Sequence, residues 1–80
     1  MKAKRSKHSV VVELSTDEAL VFMNWLFRFN EKANSEMFED QSEERVLWDF
    51  EAILEKIISE TVSADYVSLL AKARREIRDN

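Results

Sequence analysis

The 80-residue chain contains no cysteine, no glycine and no proline, and it has one histidine. Without cysteine, it can form neither a disulfide nor a thiolate metal site. Without glycine, the phosphate-binding loops of nucleotide-binding proteins are excluded, because their backbones must approach the phosphates closely. Tight two-residue hairpins are disfavoured, since their turns favour glycine. With few helix breakers and many helix formers, the composition predicts an all-helical body.

The side chains offer no arrangement that is typical of a catalytic or metal site. His8 lies in a polar N-terminal arm, so the helical body has no histidine that could act as a base. The many carboxylate pairs lack the Glu-x-x-His pattern of di-metal sites, and solvated surface positions account for them. We therefore predict that the protein is not an enzyme and binds no metal or cofactor.

The size of the chain indicates one domain with a marginally stable monomer. Since disulfides and metals are excluded, oligomerisation is the remaining way to gain stability. No targeting signal is evident, and the apolar run at residues 20–29 is shorter than the roughly 20 residues that span a bilayer. We expect no membrane association, and the absence of cysteine fits a cytoplasmic location.

Charge is distributed unevenly along the chain. Four cations precede the first acid, namely Lys2, Lys4, Arg5 and Lys7. Residues 31–60 hold ten acids against three bases, a balance of −7. We interpret residues 1–8 as a flexible basic arm, which could serve either as a solubilising tail or as a nucleic-acid contact. The acidic middle makes nucleic acid an unexpected partner.

Residues 9–80 are predicted to form a single helical domain. We expect a strand at 9–14 and helices at about 16–32, 41–60 and 64–79. These elements predict an all-α, three-helix up-down-up bundle preceded by a short strand or extended arm. Ser15 and Glu18 form a capping-box pattern at the start of the first helix, and Asn34 is expected to end it in a left-handed conformation. No second strand-like segment is recognised, so the strand is expected to pair with another subunit.

The first helix carries apolar side chains over an arc of more than about 200°, wider than the roughly 100° stripe of an ordinary surface helix. This excess predicts a homo-oligomer, with a dimer favoured. The predicted oligomer interface comprises Val10, Val12, Phe22, Trp25, Leu26 and Phe29.

The second helix shows a regular apolar stripe, expected to face the core. It comprises Val46, Leu47, Phe50, Ile53, Leu54, Ile57 and Ile58. Trp48 projects away from this stripe, among acidic side chains. It is either a partner-binding anchor or a peripheral core residue packed on Phe38. The candidate partner-binding residues are Trp48, Glu44, Glu51 and Glu55.

Residues 10–26 resemble the start of a ribbon-helix-helix DNA-binding protein, with a basic arm, a short strand, a serine cap and an amphipathic helix. This resemblance implies that strands of two subunits pair and enter the major groove. The strand lacks the usual base-reading side chains, and the connector after the first helix is longer than the family's turn. The stretches 14–22 and 43–55 resemble small bacterial proteins of unassigned function.

We therefore predict a non-catalytic assembly or protein–protein interaction protein. The alternative is a ribbon-helix-helix-like regulator that binds nucleic acid through Lys2, Lys4, Arg5 and Lys7.

Overall fold

The computed structural model describes residues 1–58 and 63–80. Its elements are β1 (Lys2–Arg5), β2 (Val10–Glu13), α1 (Thr16–Asn30), a 3-10 turn (Ser35–Met37), α2 (Gln41–Ile57) and α3 (Tyr66–Asp79). The three helices pack together, as predicted, and a two-stranded antiparallel sheet precedes them. Positions 59 and 60, predicted to end the second helix, lie outside the described residues. Within the described residues, no helix is long and apolar enough to cross a membrane.

The N-terminal hairpin corrects two predictions, that residues 1–8 are a flexible arm and that the following strand pairs with another subunit. β1 pairs with β2 in antiparallel register, with Lys2 opposite Glu13 and Arg5 opposite Val10. The strand at residues 10–13 thus finds its ladder partner within the chain. Sequence inspection missed β1 because lysine is depleted in strands and the residues between the two strands include no glycine to mark a hairpin turn.

A four-residue turn joins the two strands and needs no glycine. The Ser6 backbone N–H donates to the Ser9 carbonyl at 2.9 Å, and the two serine hydroxyl oxygens lie 2.6 Å apart. No described residue has a positive φ, so this longer turn avoids the left-handed conformations of two-residue hairpins.

The predicted capping box at the start of α1 is confirmed. The Glu18 backbone N–H donates to the Ser15 hydroxyl at 3.1 Å, and the Ser15 backbone N–H donates to the Glu18 carboxylate at 2.8 Å. The helix ends at Asn30, two residues earlier than expected. Asn34 is not left-handed, since its φ is −110°. Instead its side-chain amide donates to the Phe29 carbonyl at 2.6 Å and caps the helix end in that way.

The other two helices begin close to their predicted positions. Asp40 caps α2 by accepting the Ser42 backbone N–H at 2.8 Å. The Glu43 carboxylate accepts from the backbone N–H of Glu39, at 3.3 Å. α3 begins at Tyr66, two residues later than expected, after a turn in which the Asp65 N–H donates to the Ser63 hydroxyl at 3.1 Å.

α1 is the central helix, and both α2 and α3 pack against it. The core consists of Leu20, Met23, Leu26, Leu54, Ile58, Leu70 and Ala73. The first three of these come from α1 and are at most 2% exposed. Two neighbouring helices therefore cover much of the wide apolar arc of α1. This corrects the inference that the arc requires a second subunit.

Candidate interaction surfaces

An uncovered apolar stripe lies on α2. Val46, Phe50, Ile53 and Ile57 are 53%, 44%, 58% and 72% exposed, respectively. Their spacing of four, three and four residues places them on one face of the helix. The predicted core stripe therefore exists, but more than half of its members face solvent within a single chain.

The rotation of α2 explains this exposure. The side of α2 that is least exposed carries Glu44, Leu47, Glu51, Leu54 and Ile58. At about 100° per residue, the centre of this side lies about 110° from the centre of the exposed stripe. A hydrogen bond from the Asn30 side-chain amide to the Glu51 carboxylate, at 3.0 Å, helps to hold α2 in this orientation against α1.

Aromatic rings extend from the exposed stripe across α1. Phe50 makes an edge contact with Phe22, with ring centroids 5.6 Å apart. Phe22 stacks with Trp25 at 6.4 Å, and Trp25 stacks with Phe29 at 4.9 Å. Phe29 then meets Phe38 of the connector edge-on at 5.9 Å. Trp25, within this row of rings, is 41% exposed.

The predicted oligomer interface is only partly accessible. Leu26 is completely buried within the chain, so its assignment to an interface between subunits is wrong. Phe22 and Phe29 are half-buried by the ring contacts described above. Val10 and Val12 are exposed on β2, at 63% and 54%. Their side chains share one face of the hairpin because they are two residues apart in a strand.

The residues of the predicted acidic partner site differ in their exposure and do not form one free surface. Glu51 faces α1 through its hydrogen bond with Asn30, so its assignment to a free acidic face is corrected. Glu55 is exposed, and Glu44 is half-buried. Trp48 is 50% exposed and borders a small depression that Phe38 also lines. Trp48 makes no ring contact among the described residues. Its exposure fits a partner-binding anchor, and its position beside Phe38 fits a peripheral core residue.

The four predicted nucleic-acid residues lie together on the exposed hairpin. Lys2, Lys4 and Arg5 belong to β1, and Lys7 lies in the turn. From the register, Lys2 and Lys4 share one face with Glu13, whereas Arg5 shares the other face with Val10. The cations are therefore divided between two faces of a narrow ribbon.

Two carboxyl groups with lowered pKa values have structural roles. The backbone N–H of Ser15 is the largest influence that lowers the pKa of Glu18, with further help from the Ser15 hydroxyl and the Met1 ammonium, against the opposing effect of desolvation. Hydrogen bonds from the Ser42 hydroxyl and backbone N–H lower the pKa of Asp40. Both groups cap helix N-termini. The described residues contain no cluster of carboxylates and histidine suited to holding a metal ion.

Sequence inspection missed one polar cluster that joins α1 to α3. The Asn24 side-chain oxygen accepts hydrogen bonds from Arg28 at 3.0 Å and from Arg74 at 3.1 Å. The Asn24 amide donates to the Tyr66 hydroxyl at 3.2 Å. A signal was present, because Asn24 and Arg28 are the two polar interruptions of the run at 20–29 and their spacing places them on one helix face.

Comparison of the chain with protein-family models, curated proteins and solved structures finds no match. The resemblances noted in the sequence therefore remain predictions, and the functional argument depends on the surfaces of this molecule.

Proposed function

We propose that the protein is a small, non-catalytic interaction protein that self-associates, with a homodimer favoured, through the exposed stripe of α2. The observation that supports this proposal is the exposure of Val46, Phe50, Ile53 and Ile57 on one side of a single helix. Contiguous apolar surface of this kind is typical of a protein–protein contact.

A second copy of the chain is the occupant we favour for the stripe. A two-fold axis brings the same surface of both subunits together, so a regular apolar stripe can pair with itself. Burial of four large apolar side chains from each subunit would also compensate for the small core of an 80-residue chain. The proposed interface lies on α2, whereas the sequence predicted one formed by α1 together with Val10 and Val12 of the strand.

Sedimentation of the wild-type protein and of Ile53→Asp tests the proposal. We expect the wild type to sediment at about twice the 9.4 kDa chain mass at micromolar concentration. Ile53→Asp should sediment as a monomer that retains its helical circular dichroism, because the new carboxylate would be desolvated only in the interface.

Ala52→Asp provides the matched control, since Ala52 is an exposed position on the same helix outside the stripe. It introduces the same charge and should leave the dimer intact. A folded wild-type protein of monomer mass, or equal dissociation by both variants, would contradict the proposal.

A second candidate function is weak nucleic-acid binding through the hairpin. β1 places Lys2, Lys4 and Arg5 on a projecting two-stranded ribbon, an element that fits a DNA major groove. Four cations supply only a few phosphate contacts, so binding should disappear by about 200 mM salt. Fluorescence anisotropy with a labelled duplex would measure this, with the Lys2→Gln, Lys4→Gln double variant as comparison. Unchanged affinity in that variant would rule out the hairpin as the contact.

A further inference from the structure

An apolar groove of about 580 Å³ lies where the hairpin and all three helices meet. Its apolar lining includes Val12, Val21, Phe22, Trp25, Phe50 and Ile77. The volume falls within the range of about 300–1,000 Å³ that is usual for small-molecule sites, which combine apolar walls with a few polar groups.

The polar groups of this groove include two arginines that meet at one atom. Arg28 of α1 and Arg74 of α3 both line the groove, and both donate to the side-chain oxygen of Asn24. Neither arginine forms an ion pair within residues 1–58 and 63–80. A neutral amide thus holds two guanidinium groups close together, where an anion would relieve their mutual repulsion.

Glu18, the one carboxylate among the described residues that line the groove, does not neutralise these arginines. Glu18 accepts from the Met1 ammonium at 3.4 Å and from the Ser15 backbone N–H at 2.8 Å. The negative charge of Glu18 is therefore paired with the Met1 ammonium. Within the part of the chain that the structure describes, the arginines contribute two positive charges without an ion-pair partner, beside an aromatic wall.

We propose that the groove binds a long-chain carboxylate, an anion of the fatty-acid class. The apolar chain would lie against Phe22, Trp25 and Phe50, and the carboxylate would accept hydrogen bonds from Arg28 and Arg74. Charge complementarity selects the anionic head, and the apolar walls select the chain. This ligand site and the exposed stripe of α2 share Phe50.

Titration with dodecanoate below its micellar concentration tests the proposal. The Trp48→Phe variant leaves Trp25 as the only tryptophan, so its fluorescence reports on the groove. We expect saturable binding of one dodecanoate per chain by calorimetry, with a matching fluorescence change. Two charge-assisted hydrogen bonds should make dodecanoate bind about 10- to 100-fold more tightly than uncharged dodecanol. Each methylene added to the carboxylate chain, while the groove covers it, should raise the affinity about three- to fourfold.

Two variants test whether Arg28 and Arg74, and not positive charge elsewhere on the surface, select the carboxylate. The double variant Arg28→Gln, Arg74→Gln should remove the preference for the carboxylate over the alcohol. Arg45→Gln is the matched control, because Arg45 lies on α2 and pairs with Asp49 at 3.4 Å. It should leave the preference unchanged. Both arginines of the groove are exposed, so the double variant should keep its fold, which circular dichroism would verify.

Three outcomes would overturn the proposal. These are equal affinity for dodecanoate and dodecanol, a preference that survives in the double variant, and binding to anionic lipid vesicles without binding to free dodecanoate. Ile53 does not line the groove, so Ile53→Asp should still bind dodecanoate as a monomer. Loss of ligand selectivity and loss of self-association are thus measured in different variants.

Discussion

α1 and α2 both carry wide apolar faces, but the fold covers them to different extents. α1 lies between two helices, and its Leu20, Met23 and Leu26 are buried. α2 contacts α1 with one edge of its apolar face, and Ile53 and Ile57 remain exposed. The number of neighbours, and not the width of the apolar pattern, decides how much of a helix is covered. The helix with the more regular stripe is therefore the one that remains available to a partner.

The largest expected effect compares a buried residue of α1 with an exposed residue of α2. Leu26→Ala should reduce the free energy of unfolding by about 2–5 kcal/mol at every protein concentration, because it leaves a cavity inside the chain. Ile57→Ala should destabilise the protein only at concentrations at which it self-associates. Urea denaturation at several concentrations would measure both. If both variants lost a similar amount of unfolding free energy at every protein concentration, the exposed stripe of α2 would not differ from the core of α1 in its contribution to stability.

An intermediate effect is expected for Trp48, on the opposite side of α2 from the exposed stripe. Because half of this residue is exposed, Trp48→Ala should cost about 2 kcal/mol, less than the 3–5 kcal/mol of a buried tryptophan. Thermal and urea melts would measure the loss. Unchanged stability would show that Trp48 contributes nothing to the chain's own packing and would favour a role as a partner-binding anchor.

The smallest effect concerns the caps of the two helices. The pKa of Glu18 in the folded protein is below its ordinary value of 4.5, and that of Asp40 is below 3.8. The stability that each carboxylate contributes is therefore complete above its ordinary pKa and is lost as the pH falls through the lower folded value. We expect the melting temperature of the wild type to exceed that of Glu18→Gln at pH 7, and the difference to decrease on acidification.

Asp40→Asn should show the same behaviour for α2, because hydrogen bonds from Ser42 lower the pKa of Asp40 in the folded protein. Melting temperatures between pH 7 and pH 2 would measure both differences. A difference from wild type that is constant over this range would show that the carboxylate charge at that cap does not contribute to stability.

Local chemistry in the sequence determined where the helices lie and how two of them begin. The Ser15–Glu18 capping box and the Asp40 cap involve residues within three positions of one another, so their hydrogen bonds follow from local backbone geometry. The apolar periodicity of the second helix also identified a real stripe. Such features depend on neighbours along the chain, which a sequence shows directly.

Tertiary structure alone decided which apolar surfaces are covered and which polar groups meet. The rotation of α2 against α1, with its Asn30–Glu51 hydrogen bond, and the approach of Arg74 to Asn24 join residues that are 21 and 50 positions apart. A helical pattern shows that a face is apolar, but burial requires a second element at a particular distance and orientation. For that reason the sequence predicted an apolar interface on α1, whereas the packing of α2 and α3 against α1 leaves the exposed apolar stripe on α2.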